Sequence, residues 1–224
     1  MGNETEIKLK ISDLKAFHRS LKRLGAQLAF KGATRVREEN LLFDTTDGHL
    51  AKQGQLLRIR IELPERIGNS GDKKGQPPAR RTLLTFKRPL EQATNRESAS
   101  FHRDYKVREE LELEVADGAT LGRIFSALGM NGWFRYEKYR TTYKLPAAKA
   151  WARGLLIELD ETPIGTFVEL EGPEAAIDRA AAELGFSKKD YILKNYLLLY
   201  IEDCRKRGEQ PKDMLFAPAK SRSA

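Results

Sequence analysis

Eight stretches of the chain alternate in the manner of β-strands, roughly residues 3–11, 34–43, 56–63, 81–88, 105–115, 136–145, 154–160 and 166–171. In most of them the alternation is between ionic and apolar side chains. Neighbouring side chains of a strand point to opposite faces, so such a stretch has one charged face and one apolar face. Glu4, Glu6, Lys8 and Lys10 oppose Ile7, Leu9 and Ile11. Arg58, Arg60 and Glu62 oppose Leu57, Ile59 and Ile61, while Arg108, Glu110, Glu112 and Glu114 oppose Val107, Leu111, Leu113 and Val115. Lys87 lies opposite Leu84 and Phe86, and Lys138 and Arg140 lie opposite Tyr139. Glu158 and Asp160 oppose Ile157 and Leu159, and Glu169 and Glu171 oppose Val168 and Leu170. One such strand is what any antiparallel sheet with a wet side presents. A wet side usually mixes Ser, Thr, Gln and Lys, however, and these faces are dense in Glu, Arg and Lys.

The apolar faces need cover, and the sequence supplies helices for it. After Ser12, a cap residue, Leu14, Phe17, Leu21 and Leu24 recur at helical spacing until Gly25. Leu121, Ile124, Phe125 and Leu128 repeat the pattern until Gly129. Pro173 stands at a first helical position before Ile177, Ala180, Ala181, Leu184 and Gly185. Ser187 and Asp190 read as the start of a last helix carrying Leu193, Tyr196, Leu197 and Tyr200. With helices outside, the charged faces point at one another. The expected fold is therefore α+β: an eight-stranded antiparallel closed β-barrel, a tunnel with a polar, charged lumen and helices packed outside. Residues 64–80 are rich in Gly, Pro and charge and 91–103 read as a similar polar connection, but neither divides the core. One domain is expected over 1–204, followed by a polar, flexible tail over 205–224.

A lumen of opposed charges needs something to bridge them. Arg and Lys neutralise phosphate oxygens, Arg through a bidentate fork. Carboxylates hold Mg²⁺ or Mn²⁺, which in turn bind phosphate oxygens. Both sets in one cavity point to a metal-bound polyphosphate. The net charge of +8, from 40 Lys and Arg against 32 Asp and Glu, invites a nucleic-acid reading. A polyanion-binding surface needs the cations without the carboxylate clusters, so no nucleic-acid partner is expected. No run reaches the length of a membrane span, and no apolar signal core stands near the N-terminus, so no membrane partner is expected. A single cysteine, Cys204, fits a reducing, cytoplasmic setting, and it has no His or Asp companion for nucleophilic work. His18, His49 and His102 lack ligand spacing, so zinc is not expected. Trp133 and Trp151 flank strands and read as packing groups, and Arg205, Lys206 and Arg207 as charges at a helix C-terminus. A homodimer is left open.

The opening Glu4-Thr5-Glu6-Ile7-Lys8 fits the pattern ExExK, and further motifs follow in order. These are LRIR with Arg58 and Arg60, LTFKRP with Lys87, and VREELELEV with Arg108, Glu110 and Glu112. EKYR with Lys138 and Arg140, IELDE with Asp160, VELEG with Glu169 and Glu171, and a late Lys194 complete the series. Over residues 3–200 the chain resembles the CYTH superfamily, the triphosphate tunnel metalloenzymes, which includes class IV adenylate cyclases and thiamine triphosphatase-like enzymes. The resemblance implies that Glu4, Glu6, Glu169 and Glu171 hold one or two divalent metals, with Asp160 and Glu110 or Glu112 contributing. It implies that Lys8, Arg58, Arg60, Lys87, Arg108, Lys138, Arg140 and Lys194 grip the phosphates. It also implies a catalytic role for Lys87 and Lys138, which match a lysine pair thought to activate water in bacterial triphosphatases. A crowd of cations can lower a lysine's pKa enough for base work; alternatively both lysines only bind phosphate. Thiamine-type enzymes are thought to use a tyrosine in a YYDT-like segment, where this chain has Leu41-Leu42-Phe43-Asp44-Thr45.

The activity expected is metal-dependent hydrolysis of a triphosphate: tripolyphosphate, a nucleoside triphosphate or thiamine triphosphate. One alternative is a class IV adenylate cyclase, which converts ATP to cyclic AMP and pyrophosphate. Another is a non-catalytic polyphosphate or nucleotide binder using the same tunnel.

Overall fold

The structure, a computed structural model, describes residues 2–29, 35–65, 79–90 and 104–218. In chain order the elements are β1 (Gly2–Ile11), α1 (Leu14–Leu24), β2 (Gln27–Leu28), β3 (Arg35–Thr45), α2 (His49–Lys52), β4 (Leu56–Glu65), β5 (Arg81–Pro89), β6 (Lys106–Glu114), α3 (Gly118–Ala127), β7 (Met130–Lys144), β8 (Leu156–Thr162), β9 (Gly165–Glu171), α4 (Glu174–Glu183) and α5 (Tyr196–Arg207). Strands pair in the order β7-β3-β4-β5-β6-β1-β9-β8, and β8 returns to β7. Every pairing is antiparallel, so the charged faces enclose an eight-stranded barrel, with the two-residue β2 attached outside on β7. The register sets opposite charges side by side: Glu4 beside Arg108, Lys8 beside Glu169, and Arg140 beside Asp160.

The apolar faces are covered from outside. Ile7, Leu9, Ile157, Val168 and Leu170 pack under Phe17, Leu21 and Leu24 of α1 and under Ile177, Ala180 and Ala181 of α4. Burying each large member of this cluster contributes roughly 1.5–3 kcal/mol. Phe125 of α3 meets Phe43 edge-on, with ring centroids 5.1 Å apart, over Ile59. A third cluster stands at one end of the barrel. There Leu42, Phe134 and Phe167 point inward and meet Tyr196, Tyr200 and Cys204 of α5, together with Met214. α5 therefore closes that end.

Several boundaries differ from the sequence reading. Asp13, not Ser12, caps α1, accepting from Ala16 N at 2.8 Å, and Gly25 ends the helix at φ 70°. Pro173 is the cap residue of α4, not its first helical residue. Ser187 and Asp190 cap only the short turn Lys188–Asp190, and α5 begins at Tyr196 with Asn195 as its cap. Between them the chain is extended, because β6 begins only opposite Glu6 and leaves the adjoining edge of β1 to Ile192, which exchanges two backbone hydrogen bonds with Lys8. β7 starts at Met130, pairing with Thr45 beyond a bulge at Leu42/Phe43, so the exposed Trp133 lies inside the strand. The bulge interrupts the alternation that marks the rest of the strand.

The segment after α5, expected to be loose, is anchored as far as Phe216. Met214 is buried and its backbone bonds to Arg135 and Glu137 on β7. Asp213 accepts from Arg135 N and Nε at 2.8 and 2.9 Å, and the Phe216 ring packs on Tyr139. Residues 219–224, all of 91–103, and 66–78 of the first insertion lie outside the described residues. Among the described residues, no helix is long and apolar enough to cross a membrane.

Candidate active site

Inside the barrel the inward positions form one continuous ionic lattice. β1 contributes Glu4, Glu6 and Lys8; β3 Glu38 and Asn40; β4 Arg58 and Arg60. β5 brings Thr85 and Lys87, β6 Lys106 and Arg108, and β7 Tyr136, Lys138 and Arg140. β8 brings Glu158 and Asp160, and β9 Glu169. Among these, Lys8, Glu38, Thr85 and Asp160 are at most 2 % exposed, so their charges and dipoles must satisfy one another rather than water.

The contacts show how. Lys8 Nζ lies 2.9 Å from Glu169 Oε1 and 3.4 Å from Glu6. Lys87 Nζ donates to both oxygens of Glu4 at 2.7 Å and meets Glu110 at 3.0 Å. Lys106 Nζ donates to Glu6 at 2.5 Å. Asp160 accepts from Lys138 at 2.9 Å, from Arg140 at 2.7 and 2.6 Å, and from the Tyr196 hydroxyl at 2.7 Å. Arg140 also pairs with Glu158 and Glu169. The lattice surrounds a cavity of about 70 Å³ lined by residues from Glu4 to Arg140, with Tyr196 and Leu197 of α5 at its closed end. A much larger groove, about 840 Å³, lies outside the barrel between α3 and the outer faces of β3 and β4. Its size does not make it the site. Two buried guanidinium nitrogens without a hydrogen-bond acceptor, Arg58 Nε and Arg108 Nε, belong to residues of the lumen. Buried donors of this kind call for an anion.

The lattice shifts the ionisation of its members. Burial opposes the charge on Lys8, but Glu169 and Glu6 overcome it and raise the ammonium above its ordinary value. Lys138 is likewise buried, beside Arg140, and is nevertheless raised because Asp160 and Glu38 face it. Burial and the neighbouring Lys8 instead bring Lys106 down to about 8. Glu6 and Glu169, desolvated but held by Lys8, fall well below the carboxylate range. Glu158 rises to about 7 through burial, with Glu169 and Asp160 adding to it. Glu171 rises to about 8 through burial and the nearby Glu158 and Glu4.

Of the residues singled out from the sequence, the structure brings Glu4, Glu6, Lys8, Arg58, Arg60, Lys87, Arg108, Lys138, Arg140, Asp160 and Glu169 into the lattice. Glu110 joins through Lys87, and Glu171 adjoins it. Glu112 is exposed toward the end of β6, accepting from Thr85 Oγ1 at 3.1 Å. Lys194 is not brought there: it is exposed before α5, 2.5 Å from Glu202, because the chain is extended at that point. The sequence reading missed Glu38, Asn40, Lys106, Tyr136 and Tyr196 as site residues, and left Glu158 out of the site despite its parity. Parity carried back one step from Arg108 selects Lys106. In β3, Arg37-Glu38-Glu39-Asn40 is polar on both faces, so alternation there selects nothing.

Among the described residues, no three His, Cys, Asp or Glu side chains stand close enough together to hold a metal ion as they are. The donor set nonetheless suits a hard divalent cation. It is all oxygen, and at Glu158 and Glu171 burial and mutual repulsion retain protons that such an ion would displace.

The profile of the CYTH domain matches residues 2–196. A Methanocaldococcus jannaschii protein, whose name offers adenylate cyclase as a provisional activity, is 28% identical over 207 residues, covering 88% of this chain and 97% of its own. Two solved structures share the fold. One, from Pyrococcus horikoshii and with no stated activity, has a TM-score of 0.62 at 22% identity, covering 89% of this chain and 99% of its own. The other, from Vibrio parahaemolyticus and also provisionally named an adenylate cyclase, has a TM-score of 0.61 at 17% identity, covering 86% and 94%.

Proposed function

Because this chain belongs to the CYTH-domain family, we propose that its lumen takes up a metal-bound triphosphate and hydrolyses it. The observation that carries this reading is the pair of buried arginines, Arg58 and Arg108, whose Nε donors lack an acceptor within a lattice that already pairs its other cations with carboxylates. An enclosed anion with several oxygens satisfies such donors.

In this reading Lys8, Arg58, Arg60, Lys106, Arg108 and Arg140 bind phosphate oxygens and concentrate positive potential where negative charge develops. Glu4, Glu6, Glu169 and Glu171 would hold Mg²⁺ or Mn²⁺, with Glu158, Asp160 and Glu110 beside them. The ion, when bound, neutralises phosphate charge and aligns the attacked phosphorus. Lys87 and Lys138 remain the proposed catalytic pair. Lys138 donates to Asp160 and is held charged by Asp160 and Glu38, so it would act as a base only where those carboxylates are engaged by other partners. Lys106, already near neutral basicity, is an additional candidate for proton transfer.

Cyclisation of ATP is the second reading, and the provisional names of the Methanocaldococcus and Vibrio proteins favour it. Against it, α5 closes one end of the lumen. The test is a panel of tripolyphosphate, ATP and thiamine triphosphate with Mg²⁺ or Mn²⁺, read for orthophosphate, pyrophosphate and cyclic AMP. Orthophosphate supports the hydrolase and cyclic AMP with pyrophosphate the cyclase, while tight binding without product leaves a binding protein. Glu4→Ala, Lys87→Ala and Arg140→Ala should each lower turnover by orders of magnitude. Unchanged rates in all three would remove the lumen as the site.

A further inference from the structure

Two tyrosine hydroxyls reach the lumen cavity, and they are bonded in opposite senses. Tyr196 of α5 donates to Asp160 Oδ2 at 2.7 Å, so its proton has a partner. Tyr136 of β7 accepts from Arg58 Nη1 at 3.0 Å. The other charged groups acting on Tyr136 are also cations: Lys138 on its own strand and Arg60 on β4. Asn40, opposite it on β3, donates its amide Nδ2 to the Tyr136 carbonyl and accepts from Arg60 Nε on its Oδ1. Tyr136 is only 7 % exposed and lines the cavity. Among the described residues, then, nothing accepts the Tyr136 proton, although Arg58 fixes its oxygen. A buried donor left without an acceptor is destabilising, and donor-only surroundings make the missing partner an anion.

We infer that Tyr136 is a direct substrate contact, donating its hydroxyl proton to a non-bridging oxygen of a bound condensed phosphate while Arg58 holds the phenol oxygen from behind. This inference rests on the triphosphate reading of the lumen and adds a residue to it. Lysines and arginines there supply charge from many directions. One hydroxyl with one proton supplies direction, and so favours a phosphate oxygen at one place along the chain. The nearby cations also stabilise the phenolate against burial, so Tyr136 titrates below the ordinary phenol range. Once ionised it can no longer donate and repels the ligand, and affinity falls. Of the other groups in the lumen, Arg60, Lys8 and Lys138 are raised, Tyr196 is raised well above the phenol range, Lys106 titrates near 8, and Glu158 and Glu171 near 7 and 8.

The test is calorimetric titration of wild type, Tyr136→Phe and the outer-face control Tyr139→Phe with inorganic tripolyphosphate in EDTA, across neutral to alkaline pH. Tyr136→Phe should bind about 10-fold more weakly at neutral pH, the loss of roughly one charge-assisted hydrogen bond. It should also lose the part of the alkaline decline that exceeds the contribution of Lys106, Glu158 and Glu171, which is common to all three proteins. Equal affinities in wild type and Tyr136→Phe overturn the inference while leaving the triphosphate reading intact. A wild type that binds tripolyphosphate neither in EDTA nor with Mg²⁺ added overturns both. A second measurement uses wild type alone: saturating tripolyphosphate should raise the midpoint of one tyrosine ionisation in the ultraviolet titration. An unmoved midpoint overturns the inference even if Tyr136→Phe does not fold.

Discussion

Substituting Asp160 by Asn keeps the shape of the side chain and removes its charge from the most heavily bonded carboxylate of the lumen. Asp160 is fully buried and accepts four hydrogen bonds, from Lys138, Arg140 twice and Tyr196. In the variant an amide N–H meets donors, and Lys138 and Arg140 lose their shared counter-charge. Breaking a buried ion pair from one side costs about 3–5 kcal/mol. The lower end applies here, because Glu38 still faces Lys138, and Glu38, Glu158 and Glu169 still face Arg140. At about 3 kcal/mol, and ~2–4 °C per kcal/mol for a chain of this length, Tm should fall by roughly 6–12 °C in EDTA. Tripolyphosphate supplies the missing negative charge, so it should raise Tm more in Asp160→Asn than in wild type. Thermal melts of both proteins with and without the ligand make the measurement. Equal melting temperatures without ligand would refute the account of the buried charges. A deficit that ligand fails to narrow would refute the lumen as an anion site.

Three further outcomes are expected. Glu158 and Glu171 have folded-state pKa values of about 7 and 8 against an ordinary 4.5, so between these limits the folded protein holds more protons than the unfolded chain. Stability in EDTA should therefore fall as pH rises through that window, by up to ~3 kcal/mol for Glu158, and Glu158→Gln should flatten the curve. Lys106 acts in the opposite sense, and only above about 8. A melting temperature that climbs steadily across the same range would contradict this. Lys194→Ala removes an exposed residue paired with Glu202, and turnover and tripolyphosphate affinity should stay within about twofold of wild type. A large loss would show that the segment before α5 turns inward. Met214→Ala should cost ~2–5 kcal/mol in chemical denaturation, because the side chain closes the cluster at the end of the barrel. A neutral effect would show that the segment after α5 is detached in solution.

The barrel was legible because strand after strand alternates ionic with apolar residues: Glu4, Arg58, Lys87, Arg108, Lys138, Glu158 and Glu169 are all inward with mostly apolar neighbours facing out, and no helical arrangement reproduces that period of two. The same alternation selected most of the lattice. It failed where its physical basis fails. β3 carries charge on both faces and a bulge, so Glu38 and Asn40 could not be told from Arg37 and Glu39. Tyr136 and Tyr196 are amphipathic, with rings that pack in the apolar end cluster and hydroxyls that reach the ionic one, so a hydrophobic pattern counts them as core. The last helix was started too early because Ser187 and Asp190 satisfy each other as the capping box of a single short turn, which leaves Lys194 in extended chain before α5. Backbone pairing of Ile192 with Lys8, between residues far apart in the chain, decides that stretch, and no local signal records it.

The saturation of the lumen by its own opposite charges has a consequence for how guests enter. A polyanion settling on Lys8, Lys87 and Arg140 must pull them from Glu169, Glu4 and Asp160, which leaves those carboxylates bare. A divalent cation taking the carboxylates would leave the ammonium and guanidinium groups bare in turn. Each guest thus prepares the seat of the other, and by reciprocity the two should bind more tightly together than either does alone.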